Sequence, residues 1–196
     1  MASRTTLPVK VDTPATVSPP LSVEMPLTSK KLVEGGLDVM LSTAFIPEGG
    51  WYEDMSLAKW LIKLAPNVRK EIYEASYFDA TMNVLDEMED QASDWNKNQD
   101  NRKIAICKSV SDLDKALEDG SLALIHSVEG AHSLQANSAQ RKPHDIDTTH
   151  EEKLNTALSN LEKFYNKGVA YLTLAHFYEN DCAPPVFPWP EYALSH

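Results

Sequence analysis

Two stretches of this 196-residue sequence put a chemically useful side chain at the end of an apolar run. The first is Ile125-His126-Ser127-Val128-Glu129-Gly130-Ala131-His132-Ser133. Glu129 directly follows a strand-like segment, and Gly130 lets the chain turn sharply beside it. In parallel α/β folds the carboxyl ends of the strands face the ligand crevice. A carboxylate there can bind a metal ion, or bridge two through its two oxygens. It can equally be a solvated loop acid or cap the next helix, as most strand-end acids are. His132 can support such a site from outside the ligand sphere or be structural. His126, inside the strand, reads as a satisfied core or wall residue. The second stretch is Tyr171-Leu172-Thr173-Leu174-Ala175-His176. A neutral imidazole at that strand end can ligate metal, and either ring form can donate a hydrogen bond to a substrate oxyanion. A bond to loop backbone is the alternative. Glu179, Asn180 and Asp181 either line the same mouth or are surface loop residues.

His144, Asp145, Asp147, His150, Glu151 and Glu152 have the composition of a metal site, but they sit before and inside a helix start. Acids there offset the helix dipole without a metal, and capping is the expectation. The sequence has no GxGxxG, P-loop, HExxH or GxSxG pattern. Trp51, Trp60, Trp95 and Trp189 read as core or loop anchors.

The elements that must position these residues alternate. Residues 1–27 carry Pro8, Pro14, Pro19, Pro20 and Pro26, which remove backbone donors and predict an extended or disordered tail. One domain is expected over 28–196. Ser29 to Glu34 suits a short helix ended by Gly35-Gly36, and Leu37 to Phe45 suits a strand. Ser56 can cap a helix carrying Leu57, Trp60, Leu61 and Leu64, and a second helical pattern runs from Val68 to Trp95. Asp94 to Lys103 reads as a turn. Strands are predicted at 104–108, 122–128 and 169–174. Helices are predicted at 111–119, closed by Gly120, and from Thr148 or Thr149 to Asn166, closed by Gly168. In the latter, Leu154, Leu158 and Leu161 share one face. Gly130 to Asp147 reads as a polar loop. Apolar strands separated by helices imply a parallel sheet with helices on both faces or outside a barrel. The four strands are expected to lie side by side in chain order.

Composition narrows the function. At 42% hydrophobic and 24% charged residues the chain can build a core. Its 29 acidic against 18 basic residues give a net charge of -11, which repels phosphate backbones and argues against nucleic acid as a partner. Cys107 and Cys182 form no CxxC, so neither a disulfide scaffold nor a zinc knuckle is expected. No apolar run approaches the roughly 20 residues of a membrane span. No apolar signal-peptide core is visible at the N-terminus, so a cytoplasmic location is expected.

Lys31-Leu32-Val33-Glu34-Gly35-Gly36-Leu37, the strand end around Glu129 and the stretch Gly168 to His176 together resemble the membrane dipeptidase family (renal-dipeptidase-like, M19 peptidases) of the metal-dependent amidohydrolases. Similar strings occur in that family in the same order: an EGG-plus-strand, a VEGGHS-like strand end and a YLTLTH-like strand end. The resemblance spans roughly Leu27 to Asp181. It implies a (β/α)8 TIM barrel holding two zinc ions, of which about half is present here. It also implies hydrolysis of dipeptides or related small amides by a metal-activated water. By motif match, Glu129 is the metal-bridging carboxylate. His176 is the catalytic, substrate-binding histidine that steadies the tetrahedral intermediate.

The sequence departs from the family in its ligands. The family opens its barrel with a strand ending His-x-Asp, and no histidine here is followed two residues later by Asp. Val11-Asp12-Thr13-Pro14 has the Asp alone. Two further histidines and an aspartate that the family takes from later strands have no counterpart before His196. The chain therefore reads as a fragment or a degenerate copy. It is an incomplete zinc metallodipeptidase, an inactive dipeptidase-like module with a binding or assembly role, or a truncated product with no function of its own. The open edges of half a barrel predict marginal stability and homo-oligomer formation.

Overall fold

A computed structural model describes residues 11–16, 29–46, 75–98, 102–135, 149–176, 180, 182 and 183. The first element, β1 (Val11–Thr16), pairs in parallel with β2 (Val39–Phe45). Its register shifts between Asp12 and Ala15, around Pro14, which has no N–H to give a neighbour. This strand lies within the stretch 1–27 expected to be extended or disordered, and it is extended and paired. Edge strands accept proline, which is why the prolines did not exclude one here.

Between them, α1 (Ser29–Glu34) ends in Gly35 and Gly36, with φ 69° at Gly36. The helix α2 (Tyr77–Asn98) buries Leu85, Met88 and Ala92, spaced as one helical face. It begins at Tyr77, after non-helical Ala75 and Ser76, and so later than the start expected at Val68; the helix expected after Ser56 lies outside the described residues. The stretch read as a turn begins inside α2. There Asn96 brackets the first residue of β3 (Ile104–Ile106), bonding the Ile104 carbonyl at 2.7 Å and its N–H at 2.9 Å. Trp95 donates to the Arg102 carbonyl at 2.9 Å.

Ser109 caps α3 (Val110–Glu118) by accepting the Asp112 N–H, and β4 (Leu122–Glu129) follows. After β4 a 3-10 turn covers Ala131–Leu134. A capping box of Thr149 and Glu152 opens α4 (His150–Lys167), and Gly168, left-handed at φ 96°, closes it. A side chain at 168 would meet Cγ of Lys108 at 2.5 Å, so glycine is required there twice over. The last described strand is β5 (Val169–Thr173).

All pairings among the described residues are parallel. The order corrects one expectation. β2 pairs directly with β4, and β3 does not separate them. β3 and β5 share the other edge of β4: Ile104–Ile106 pairs with residues 122–124, and β5 pairs with residues 126–129. The run β1-β2-β4-β5 therefore keeps chain order, with β3 as a short accessory at the amino end. No closed barrel is formed by the described residues.

The two faces of the sheet differ. Met40 and Ala44 of β2 and Leu122, Leu124 and Val128 of β4 pack against Leu85 and Met88 of α2, with Phe78 and Phe164 in the same cluster. On the opposite face Val39 and Ala123 pack with Ala116 of α3 and with Cys107. Strand alternation puts Thr43 and Ser127, then Phe45 and Glu129, on this second face beyond α3. Thr43 and Ser127 join hydroxyls at 2.7 Å.

Candidate functional site

The carboxyl ends of β2, β4 and β5 converge. In register, Phe45 lies opposite Glu129, and Glu129 opposite Thr173. Past the strands the chain stays joined, because Gly130 N–H donates to the Thr173 carbonyl at 2.9 Å and Ala131 N–H to that of Leu174 at 3.1 Å. This brings His176 beside Glu129, with Nε2 3.6 Å from Oε1. That separation suits an ion pair when the imidazole is protonated and is long for a hydrogen bond. His176 is buried, while the Glu129 side chain is 39% exposed. A Phe45 ring at 4.9 Å and a His132 ring at 5.5 Å flank His176.

The turn after β4 does not behave as the polar loop expected from Gly130 onward. Ala131, His132, Ser133 and Leu134 are all buried. Apolar Ala131 and Leu134 join the main core and draw the polar residues between them inside. Gly130 has φ 91°, and a Cβ there would lie 2.2 Å from Cε1 of His132. His132 Nε2 sits 2.7 Å from the Ile46 carbonyl, and Tyr77 meets its ring edge-on at 5.0 Å. Phe45, Tyr77 and the Ile46 carbonyl were not singled out from sequence. Phe45 carries the one available signal, being the last apolar residue of a predicted strand.

Asn180 does not line the mouth. Its amide donates to the Leu174 carbonyl at 3.1 Å and its oxygen accepts the N–H groups of Cys182 and Ala183, both at 2.9 Å. Glu179 and Asp181 lie outside the described residues, as do His144, Asp145 and Asp147 of the polar cluster. Glu152 of that cluster is consumed by the capping box.

Among the described residues, the strongest electrostatic perturbation lies on the α2 face of the sheet. His126 of β4 is buried there, with Nε2 3.2 Å from Oε1 of Glu89 on α2 and Nδ1 without a partner among the described residues. It is therefore only half satisfied. Burial pushes its pKa down, partly opposed by Glu89. Burial would raise Glu89, but bonds from Lys167, Lys108 and His126 outweigh it and hold that carboxyl at about 2. Lys167 also bonds Asp86.

Among the described residues, no group of three or more His, Cys, Asp or Glu is placed to hold a metal ion. Catalytic zinc generally takes three protein ligands, so Glu129 and His176 do not by themselves fit a binuclear zinc centre. No described helix is long and apolar enough to cross a membrane.

Neither a family model nor a curated protein matches this sequence. Among solved structures, an amidohydrolase from Pseudomonas aeruginosa is similar, with a TM-score of 0.51 and 16% identity. The match covers 88% of this chain and 35% of that one. At this identity the likeness concerns fold alone: the chain has an α/β fold with a parallel sheet like that of about a third of an amidohydrolase.

Proposed function

We propose that this chain carries part of the site of a metal-dependent, dipeptidase-like hydrolase. In this reading Glu129 is the metal-facing carboxylate and His176 the residue that contacts substrate. One observation carries it: two motifs 47 positions apart deliver an acid and an imidazole to adjacent strand ends, 3.6 Å apart. The fold likeness to an amidohydrolase supports the same reading. His176, held between Phe45 and His132, has little freedom to turn. A preorganised N–H at that position stabilises an oxygen gaining negative charge on a dipeptide or small amide. Glu129, more exposed, presents its negative oxygens to a cation from the mouth of the crevice.

The metal chemistry needs ligands beyond Glu129, so the chain alone is expected to bind zinc weakly and to lack dipeptidase activity. The test is elemental analysis after dialysis, with a dipeptide hydrolysis assay in added zinc. Zinc far below two per chain and no turnover are expected. Near-stoichiometric binuclear zinc, or turnover abolished by Glu129→Gln, would overturn the incompleteness.

A second reading, an inactive module used in assembly, is favoured by one feature. A groove of about 510 Å3 between α4 and β5 is lined by Leu158, Leu161, Tyr165 and Tyr171, and these residues are 42–76% exposed.

A further inference from the structure

We infer that His132 is a positioning residue that fixes the spacing of the three strand ends around Glu129 and His176. The functional meaning of this inference rests on the proposed roles of those two residues; the geometry does not. His132 is 2% exposed and is held from three directions. Its Nε2 lies 2.7 Å from the Ile46 carbonyl, one residue past β2. A carbonyl only accepts, so Nε2 carries a hydrogen and the ring orientation is set. Tyr77, at the start of α2, closes a second side edge-on at 5.0 Å. His176, just beyond β5, closes a third at 5.5 Å.

The ring also fills the space that Gly130 leaves open. A Cβ at 130 would lie 2.3 Å from His132 Nδ1 and 3.3 Å from Cβ of His176. Gly130, His132 and His176 therefore form one packed unit directly behind Glu129. The unit ties the end of β2 to the turn after β4, and the Gly130 and Ala131 N–H bonds tie that turn to β5. Removing the His132 donor frees the Ile46 carbonyl end and loosens the turn that aims Glu129 at the crevice.

The experiment uses nuclear magnetic resonance on the full, isotope-labelled chain. In the unaltered protein the His132 ring is expected to carry its hydrogen on Nε2. A ring protonated at Nδ1 only, or averaging between both neutral forms, overturns the inference. His132→Phe keeps a ring and removes the donor. It is expected to weaken the Phe45–His176 ring contact and speed amide exchange at Gly130 and Ala131 by about tenfold, the scale of one lost hydrogen bond. Amides of α3, remote from the turn, are expected to keep their rates. His132→Gln, which can donate to the same carbonyl, is expected to restore the slow exchange. An unchanged ring contact and exchange in His132→Phe, or a folded His132→Gln no better than His132→Phe, overturns the inference. If His132→Phe fails to fold, the hydrogen position in the unaltered ring decides. None of these readouts depends on metal or hydrolysis, so failure of the proposed activity leaves a separate trace.

Discussion

The two ends of the same parallel strands are held in different ways. At the amino end one arginine gathers the chain. Arg102 donates to the carbonyls of Leu37 at 2.5 Å, Gly120 at 2.7 Å and Ser121 at 3.2 Å, and it pairs with Asp38 at 2.7 Å. Those groups open β2 and β4, so one planar fork satisfies acceptors that the strands leave unpaired. At the carboxyl end three rings and a half-exposed acid converge, and Glu129 meets His176 at a distance too long for a hydrogen bond. The amino end is tied by four short bonds from one side chain, whereas at the carboxyl end the Glu129 side chain stays 39% exposed.

The largest effect is expected at the amino end. Arg102→Ala should destabilise the fold by about 2–3 kcal/mol, because it strands carbonyls and a carboxylate together. Thermal unfolding monitored by circular dichroism checks this, and a change below about 0.5 kcal/mol would remove the contrast between the two ends.

Acid should act on the middle of the sheet, between those ends. His126 is depressed in the fold, so its contribution to stability is present above its ordinary value of 6.5 and is lost as pH falls below it. Glu89 is depressed too, and its contribution fades as pH falls from 4.5 through about 2. The Glu89 share should be roughly 1–2 kcal/mol once solvent screening is allowed for. Denaturant melts across that range, repeated with Glu89→Gln, should show a flatter acid limb in the variant. Parallel limbs would mean that the Lys108–Glu89–Lys167 network contributes nothing.

At the carboxyl end Glu129→Gln should change stability by less than about 0.5 kcal/mol, since a half-exposed acid without a short bond has little to lose. A loss as large as that of Arg102→Ala would make Glu129 structural. Smallest in stability, but visible in sedimentation, is Leu158→Lys on α4. It should leave the melt unchanged and reduce self-association through the apolar groove. Unaltered sedimentation would separate that groove from any assembly role.

Much of the local structure was legible because local chemistry specifies it. The helix expected at 111–119 is α3 at 110–118, closed by Gly120 as expected although its Ser109 cap was not singled out, and Thr149, Glu152 and Gly168 bound α4 within a residue or two of expectation. Glu129 and His176 were legible as strand-end residues, and the structure brings them together. Strand order was not legible, because β3 competes with β5 for one edge of β4 and only long-range pairing decides that. The leucine stripe of α4 was legible as apolar but not as exposed. The helix turns Asn160 and Phe164 inward, and Leu154, Leu158 and Leu161 lie outside. Burial of His132 was hidden for a similar reason. The ring is drawn inside by Ala131 and Leu134 and accepted by a backbone carbonyl 86 positions away.

Calorimetric zinc titration of the untagged chain tests the central claim most directly, because the claim gives the two site residues different jobs. Glu129→Gln should abolish the weak zinc binding of the unaltered chain, and His176→Gln should leave it largely intact, because the proposed reading gives His176 to the substrate. Zinc binding indifferent to Glu129→Gln, or lost with His176→Gln, would contradict the account.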